Sequence, residues 1–389
     1  MASLEPGISV TLGVVAGKLA QVDIRSTRLV QAARMLAGRS PAQISAILPT
    51  IYSLCGTAQA LAGCAAMEAA LGLIPSPAQR MARQVLLLLE TISEHAQGVL
   101  RDWPLLLDEA PDLALIKPLR PMLAGVKRAL YPGNDWARPG GGGLTIDRPA
   151  LAEHLKGLPS LAAHLFQHDP QDWLASPHRL DAWSQRRDCT AARLLHRLDR
   201  DDLAGFGGAP FHPMPVSGPR DLESRLDHDQ DGTYLARPDC DGEVYETNAL
   251  SRHASHPLLA ALTARYGNGA APRLMARMVE IAAALRDVEE LVQDLCDAPA
   301  PVLAPRTGGV GLGMVDAARG LLAHRVEIKE SLVSRYQILA PTEWNFHPRG
   351  PLHAGLVGAE ATPDLEWRVR LLVAALDPCV ACTIEIQHA

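Results

Sequence analysis

Two long runs rich in Ala and Leu, residues 51–73 and 78–101, lie on either side of Pro75 and Pro77. Both read as helices, and the prolines between them forbid one continuous rod. A chain that begins this way must supply apolar partners for both helices, and 389 residues can bury a substantial core. The remaining elements fit around that pair. Alternating Val and Ile residues at 8–24, around Gly13 and Gly17, predict a short hairpin. Apolar spacing predicts a helix from Ser26 to Leu36, and Ser40-Pro41 reads as a further helix start. Helices are also expected near 112–130, at 257–266, at about 270–296 and at 364–376. Residues 151–240 read as mixed, and 310–339 as short strands and turns. With 31 Gly and 30 Pro dispersed along the chain, the connections read as long and ordered, with no linker separating two units. The expected class is α+β, predominantly helical, over a single domain spanning 1–389, with the stretch at about 104–235 the least recognisable.

Charge narrows the function. The net charge of −6 and the lack of a basic stripe argue against nucleic acid as a partner. No polybasic segment suggests an anionic membrane surface. The longest strongly apolar stretch, Val85–Leu89, is far short of the roughly 20 residues a bilayer crossing needs. Met1–Gly7 lacks a basic region followed by an apolar run, so no secretion signal is expected and the cytoplasm is the expected compartment. Seven cysteines without such a signal point to free thiols or metal ligands.

Several local patterns fail on chemistry. Asp227-His228-Asp229-Gln230-Asp231-Gly232 opens like a calcium loop, but Pro238 occupies the twelfth position, where a bidentate Glu is needed. No helical pattern leads into it, so an acidic surface turn is expected. The Gly308–Gly313 cluster does not link a clear strand to a helix and reads as a loop. Gly140–Gly143 reads as a flexible turn, since no Lys-Ser/Thr pair follows. The histidines form no HExxH motif, and no GxSxG elbow is present.

The sharpest signal is Asp377-Pro378-Cys379-Val380-Ala381-Cys382. Two thiols at this spacing can hold one soft metal or act as a redox pair. A closed zinc site would have to recruit further ligands from elsewhere, and a thioredoxin-like pair should instead open a helix early in a βαβ unit. Cys55, just before Gly56 at the start of a buried helix, is the best distant partner. Cys64, Cys189, Cys240 and Cys296 read as buried small apolar residues.

These residues resemble a known family. Asp377-Pro378-Cys379-x-x-Cys382 resembles the C-terminal cysteine motif of nickel–iron hydrogenase large subunits, and Leu54-Cys55-Gly56 a remnant of their N-terminal one. Gly17-Lys18-Leu19 with Val22-Asp23-Ile24, Pro238 to Arg252, Ala276 to Glu280, Arg319-Gly320 with His324, and Pro341 to Asn345 resemble further segments in the same order. The resemblance implies a large-subunit-like fold. The departures bear on activity. Ala58 stands where the second N-terminal cysteine is expected, Ala16 where an acidic residue precedes the hairpin glycine, and Glu385 where a metal-binding histidine follows the last cysteine. An active nickel–iron centre is therefore not expected.

That pattern is similar to the HupK/HoxV family of hydrogenase expression and formation proteins. The resemblance implies a non-catalytic scaffold that carries or assembles the Fe(CN)2CO unit, without nickel, before its transfer to the hydrogenase large subunit. Cys55, Cys379 and Cys382 are the implied iron ligands. Arg319 and Thr342 are the implied donors to the cyanide-bearing fragment, with Trp344 and Asn345 shaping the site. The implied partners are a chaperone that donates the iron unit and the large-subunit precursor. Two other readings stay open: a divergent large subunit with residual metal chemistry, and a cofactor-free interaction subunit.

Overall fold

The computed structural model describes residues 7–28, 32–52, 54–210, 212–300 and 308–388, and over them the chain is a mostly helical α+β fold. The alternation at the N-terminus produces a hairpin of β1 (Gly7–Val15) and β2 (Lys18–Ser26). Ala16 and Gly17 close it, both at positive φ. Ile8, Val10, Leu12 and Val14 share one buried face, as a period of two requires. The last strand, β6 (Ala381–His388), lies parallel to β1, with Cys382 opposite Ile8. The two ends of the chain thus meet in one sheet of order β2-β1-β6. The Leu365–Leu376 helix covers that sheet through Val369, Leu372 and Leu376.

The helical body carries the main core. α1 (Pro41–Ile51) starts on a capping box at Ser40, and α3 (Pro77–Gln97) starts on a Ser76 cap after the proline break. Between them α2 (Gly56–Leu71) is almost entirely buried. The expected helix at 78–101 ends its regular part at Gln97 and runs on as one wide turn, Gly98–Asp102. The Ala270–Asp294 helix packs along α3. A Cβ at Gly98 would sit 1.9 Å from Arg277 Nη2, so a larger residue there would displace the Arg277 guanidinium.

The Gly308–Gly313 cluster is a strand, not the expected loop. β3 (Gly309–Ala317), β4 (Gly320–Lys329) and β5 (Leu332–Leu339) form an antiparallel sheet, longer and more regular than the short strands expected at 310–339. The reason is contact with α2. A Cβ on Gly309, Gly311 or Gly313 would fall 2.2, 2.1 or 2.3 Å from the carbonyl oxygens of Ala70, Ala66 or Ala62. Every second residue is glycine so that a helix backbone can rest directly on the strand. Gly311→Ala should therefore cost about 1–3 kcal/mol or more, because backbone on both sides must move. A fall in the denaturant midpoint, without a change in secondary structure at low denaturant, would show it.

Other expectations need correction. The helix predicted at 26–36 is β2 up to Ser26 and a 3-10 turn at Ala32–Leu36, while residues 29–31 lie outside the described residues. The helix near 112–130 is split into Leu113–Ile116 and Leu119–Leu130. The mixed stretch 151–240 is largely short helices, among them Leu158–Phe166, Pro177–Arg186 and Thr190–Arg200. Only the second of these has a side-chain cap, Ser176, and such short signals do not stand out against Pro and Gly. A helix, Leu222–His228, does lead into the Asp227 segment. Cys296 is exposed and Cys240 half-buried, unlike Cys64 and Cys189, which are buried. Among the described residues no helix is long and apolar enough to cross a membrane.

Candidate functional site

Cys55 is the residue before the first turn of α2. Glu90 of α3 faces that turn and accepts from the Thr57 and Ala58 amides at 2.7 and 2.8 Å. A carboxylate from a second helix thus takes the place of a side-chain cap and complements the positive end of the helix. Ala58, at the position where the resemblance leads one to expect a further cysteine, is fully buried there. Burial, then the negative charges of Cys379 and Glu90, push the Cys55 thiol up to about 12 against the pull of Arg319.

Cys379 arrives from the other end of the chain. Asp377 closes the Leu365–Leu376 helix in the left-handed region, φ 52°, and redirects the backbone through Pro378. The Cys379 sulfur then lies 3.2 Å from the Thr342 hydroxyl. Thr342 sits in the buried one-turn helix Pro341–Asn345. Cys382 is on β6, where it packs with Ile384 and Ile386 against the hairpin core, and burial pushes its thiol up to about 11. Cys379, Cys382, Arg319 and Asp377 line one cleft of about 680 Å³, together with Leu54, the neighbour of Cys55. The seven cysteines are all free. Among the described residues no group of three or more His, Cys, Asp or Glu side chains is gathered closely enough to hold a metal ion. Glu385 and Ala16, the two other departures, are both exposed.

Two guanidinium groups flank the thiols. Arg319 Nη1 donates to Glu94 Oε2 at 2.9 Å, and its Nε lies 3.5 Å from Asp377 Oδ2 without making a hydrogen bond. Burial works against the Arg319 charge, but Asp377 and Glu94 outweigh it and hold the group protonated. Arg28 pairs with Glu343 at 2.9 Å. The Arg28 charge is likewise opposed by burial and sustained by Glu343, with Cys379 and Cys55 adding to it. Asp377 is also faced by Arg277 at 3.5 Å. Burial disfavours the Asp377 carboxylate, yet Arg277 and Arg319 hold it below the ordinary aspartate range.

Arg28, Glu94 and Gln59 were not identified from sequence, and Glu343 was quoted only within the Pro341–Asn345 segment. Arg28 and Glu94 meet their partners across 315 and 225 residues, which no local pattern spans. Asp377 was quoted only as part of the cysteine motif.

Beneath the site lies His324, fully buried between Tyr336 and Gln59. Burial pushes it down to about 3, so it is neutral in the folded chain. The unfolded chain takes up this proton near pH 6.5 and the folded chain only near 3. Stability from this group is therefore complete above 6.5 and declines as the pH falls below it. Between pH 7 and 5 the loss from His324 should be about 2 kcal/mol, 1.5 pH units at 1.36 kcal/mol each. Denaturant titrations at the two pH values should show that difference shrinking in His324→Gln.

Comparison with known proteins adds the family. Residues 240–385 match the family described as nickel-dependent hydrogenase. The chain is 31% identical to the hydrogenase expression/formation protein HupK of Rhizobium leguminosarum bv. viciae, over 98% of this chain and 96% of that one. It is 31% identical to HupV of Azotobacter chroococcum mcd 1, over 96% of each. Against HoxV of Cupriavidus necator it is 30% identical, over 92% and 91%. The fold is that of the Ni-Fe-Se hydrogenase from D. vulgaris Hildenborough, with a TM-score of 0.66 over 94% of both chains at 16% identity. The corresponding enzyme from Desulfomicrobium baculatum gives a TM-score of 0.66 at 18% identity over 95% of both chains.

Proposed function

Since the chain belongs to the family of hydrogenase expression/formation proteins that includes HupK, HupV and HoxV, we propose that it acts in hydrogenase maturation as a non-catalytic scaffold. Its cargo in this reading is an Fe(CN)2CO unit, received from a chaperone and passed on to the hydrogenase large-subunit precursor in the cytoplasm. The observation that carries the reading is the Arg319 guanidinium, whose Nε is ion-paired with Asp377 at 3.5 Å yet makes no hydrogen bond there. That nitrogen is buried, and Arg319 belongs to the cleft that Cys379 and Cys382 line. A buried, unsatisfied N–H is costly to keep, and a cyanide nitrogen on an anionic fragment is an acceptor that would satisfy it.

The donor set agrees with the cargo. Thiolates suit low-spin iron with cyanide and carbonyl ligands; Cys379 and Cys382 line the cleft, and Cys55 follows Leu54, which lines it too. Arg28 and Arg319 offset the negative charge that such a fragment brings. Thr342, in contact with Cys379, is placed to donate to a thiolate there. With Ala58 in place of a fourth thiol, a second, bridged metal lacks a ligand.

Infrared spectroscopy with metal analysis tests this, on protein purified anaerobically from a host that makes the maturation machinery. The expected result is iron without nickel, with cyanide and carbonyl stretches. Iron and nickel together would favour a divergent enzyme. Neither metal nor bands would favour an interaction subunit without cofactor.

A further inference from the structure

From the interior of the fold we infer that His324 and Gln59 are positioning residues, which present one fixed N–H to the Cys55 sulfur and so tune the iron unit. The inference rests on the reading that Cys55 is a ligand of that cargo. Gln59 Nε2 lies 3.7 Å from Cys55 Sγ, within hydrogen-bonding reach of a sulfur. Gln59 Oε1 faces His324 Nε2 at 2.9 Å, and His324 Nδ1 faces the Tyr336 hydroxyl at 2.8 Å. Gln59, His324 and Tyr336 are all buried.

Donor and acceptor chemistry gives the chain one direction. An amide oxygen only accepts, so the proton of the neutral imidazole is on Nε2. Nδ1 is then an acceptor, and Tyr336 donates to it. With the Gln59 oxygen engaged, its NH2 group is turned toward the sulfur. Each link sets the next, and Cys55 receives the donor at the end. Three polar side chains in an apolar interior are stabilising only when fully satisfied, and here satisfaction requires the sulfur as terminal acceptor.

The packing keeps room for the chain. Gly63 stands inside α2, where glycine costs about 1 kcal/mol relative to alanine. A Cβ there would fall 2.4 Å from Leu48 Cδ1, 2.5 Å from the Tyr336 hydroxyl and 3.4 Å from His324 Nδ1. The helix gives up propensity at the point where the tyrosine and histidine meet.

An N–H directed at a metal thiolate draws electron density from it, and hydrogen bonds of this kind tune metal centres. Less density on iron means less back-donation to carbonyl. Removing the N–H should therefore move the carbonyl and cyanide bands together to lower wavenumber. In the iron-loaded full chain, Gln59→Met should keep the bands and shift them down, and Tyr336→Phe should give a smaller shift of the same sign. Nitrogen-15 NMR of the unmodified metal-free chain should show His324 with Nε2 protonated and Nδ1 bare. Unshifted bands in both variants, or a proton on Nδ1, would overturn the inference. Bands absent from the unmodified protein would instead bring down the iron reading, and the tuning role with it.

Discussion

Cys379→Ser is expected to leave the protein folded and to remove its iron unit completely, taking both the cyanide and the carbonyl bands with it. The substituted hydroxyl occupies nearly the same place as the thiol and keeps the 3.2 Å contact to Thr342, so packing is scarcely disturbed. A neutral alcohol oxygen, however, is a poor donor to low-spin iron, for which soft thiolates are selected. Cys382→Ser should also lose the bands, with a different accompaniment. Its side chain packs with Ile384 and Ile386 on the hairpin core, so the hydroxyl should lower stability as well. Metal content, infrared bands and a denaturant titration on the same preparations separate the two. Retention of the bands in Cys379→Ser would remove this residue from the site.

The largest expected stability effect lies away from the cysteines, in the buried pair Arg273–Glu246. Arg273 binds Glu246 through two bonds, Nε–Oε1 at 2.7 Å and Nη2–Oε2 at 2.9 Å, with side chains 0% and 2% exposed. Its third nitrogen donates to the Gly207 carbonyl at 2.9 Å. Asn248 and Asn268 complete the carboxylate shell at 2.7 and 2.8 Å. Arg273→Met keeps volume but leaves a buried carboxylate with only two amide partners. Breaking such a pair from one side costs about 3–5 kcal/mol. The double variant Arg273→Met with Glu246→Met should recover part of that loss, since no charge is then left buried. Denaturant midpoints of the two single variants and the double variant measure the coupling directly.

The two effects differ in how far sequence reading reached them. Cys379 and Cys382 stand three residues apart beside Asp377-Pro378, a local pattern with few chemical uses. Glu246 was quoted within a resemblance, yet nothing local couples it to Arg273, 27 residues away in the Ala270–Asp294 helix. The strong elements were readable for the same reason as the cysteine pair. α2, α3 and the Ala270–Asp294 helix carry long runs at helical spacing, α3 starting on Ser76-Pro77, and the hairpin carries alternation. The 151–240 helices are short, lie in Pro-rich sequence and mostly lack a side-chain cap, so their signal did not separate from that of turns.

β3 shows a deeper limit. Gly309, Gly311 and Gly313 have no strand propensity, and the strand exists because α2 needs a surface without side chains to rest on.

The sequence by itself determined the helical class, the terminal hairpin and the Cys379–Cys382 pair, because each rests on period or spacing within a few residues. Only the tertiary structure decided which charges surround those thiols. Arg28 with Glu343, Arg319 with Glu94 and Asp377, and the Tyr336–His324–Gln59 chain each join segments far apart in sequence. Pairing of buried polar groups is settled by where the backbone places them, since in an apolar interior each must find its partner in space.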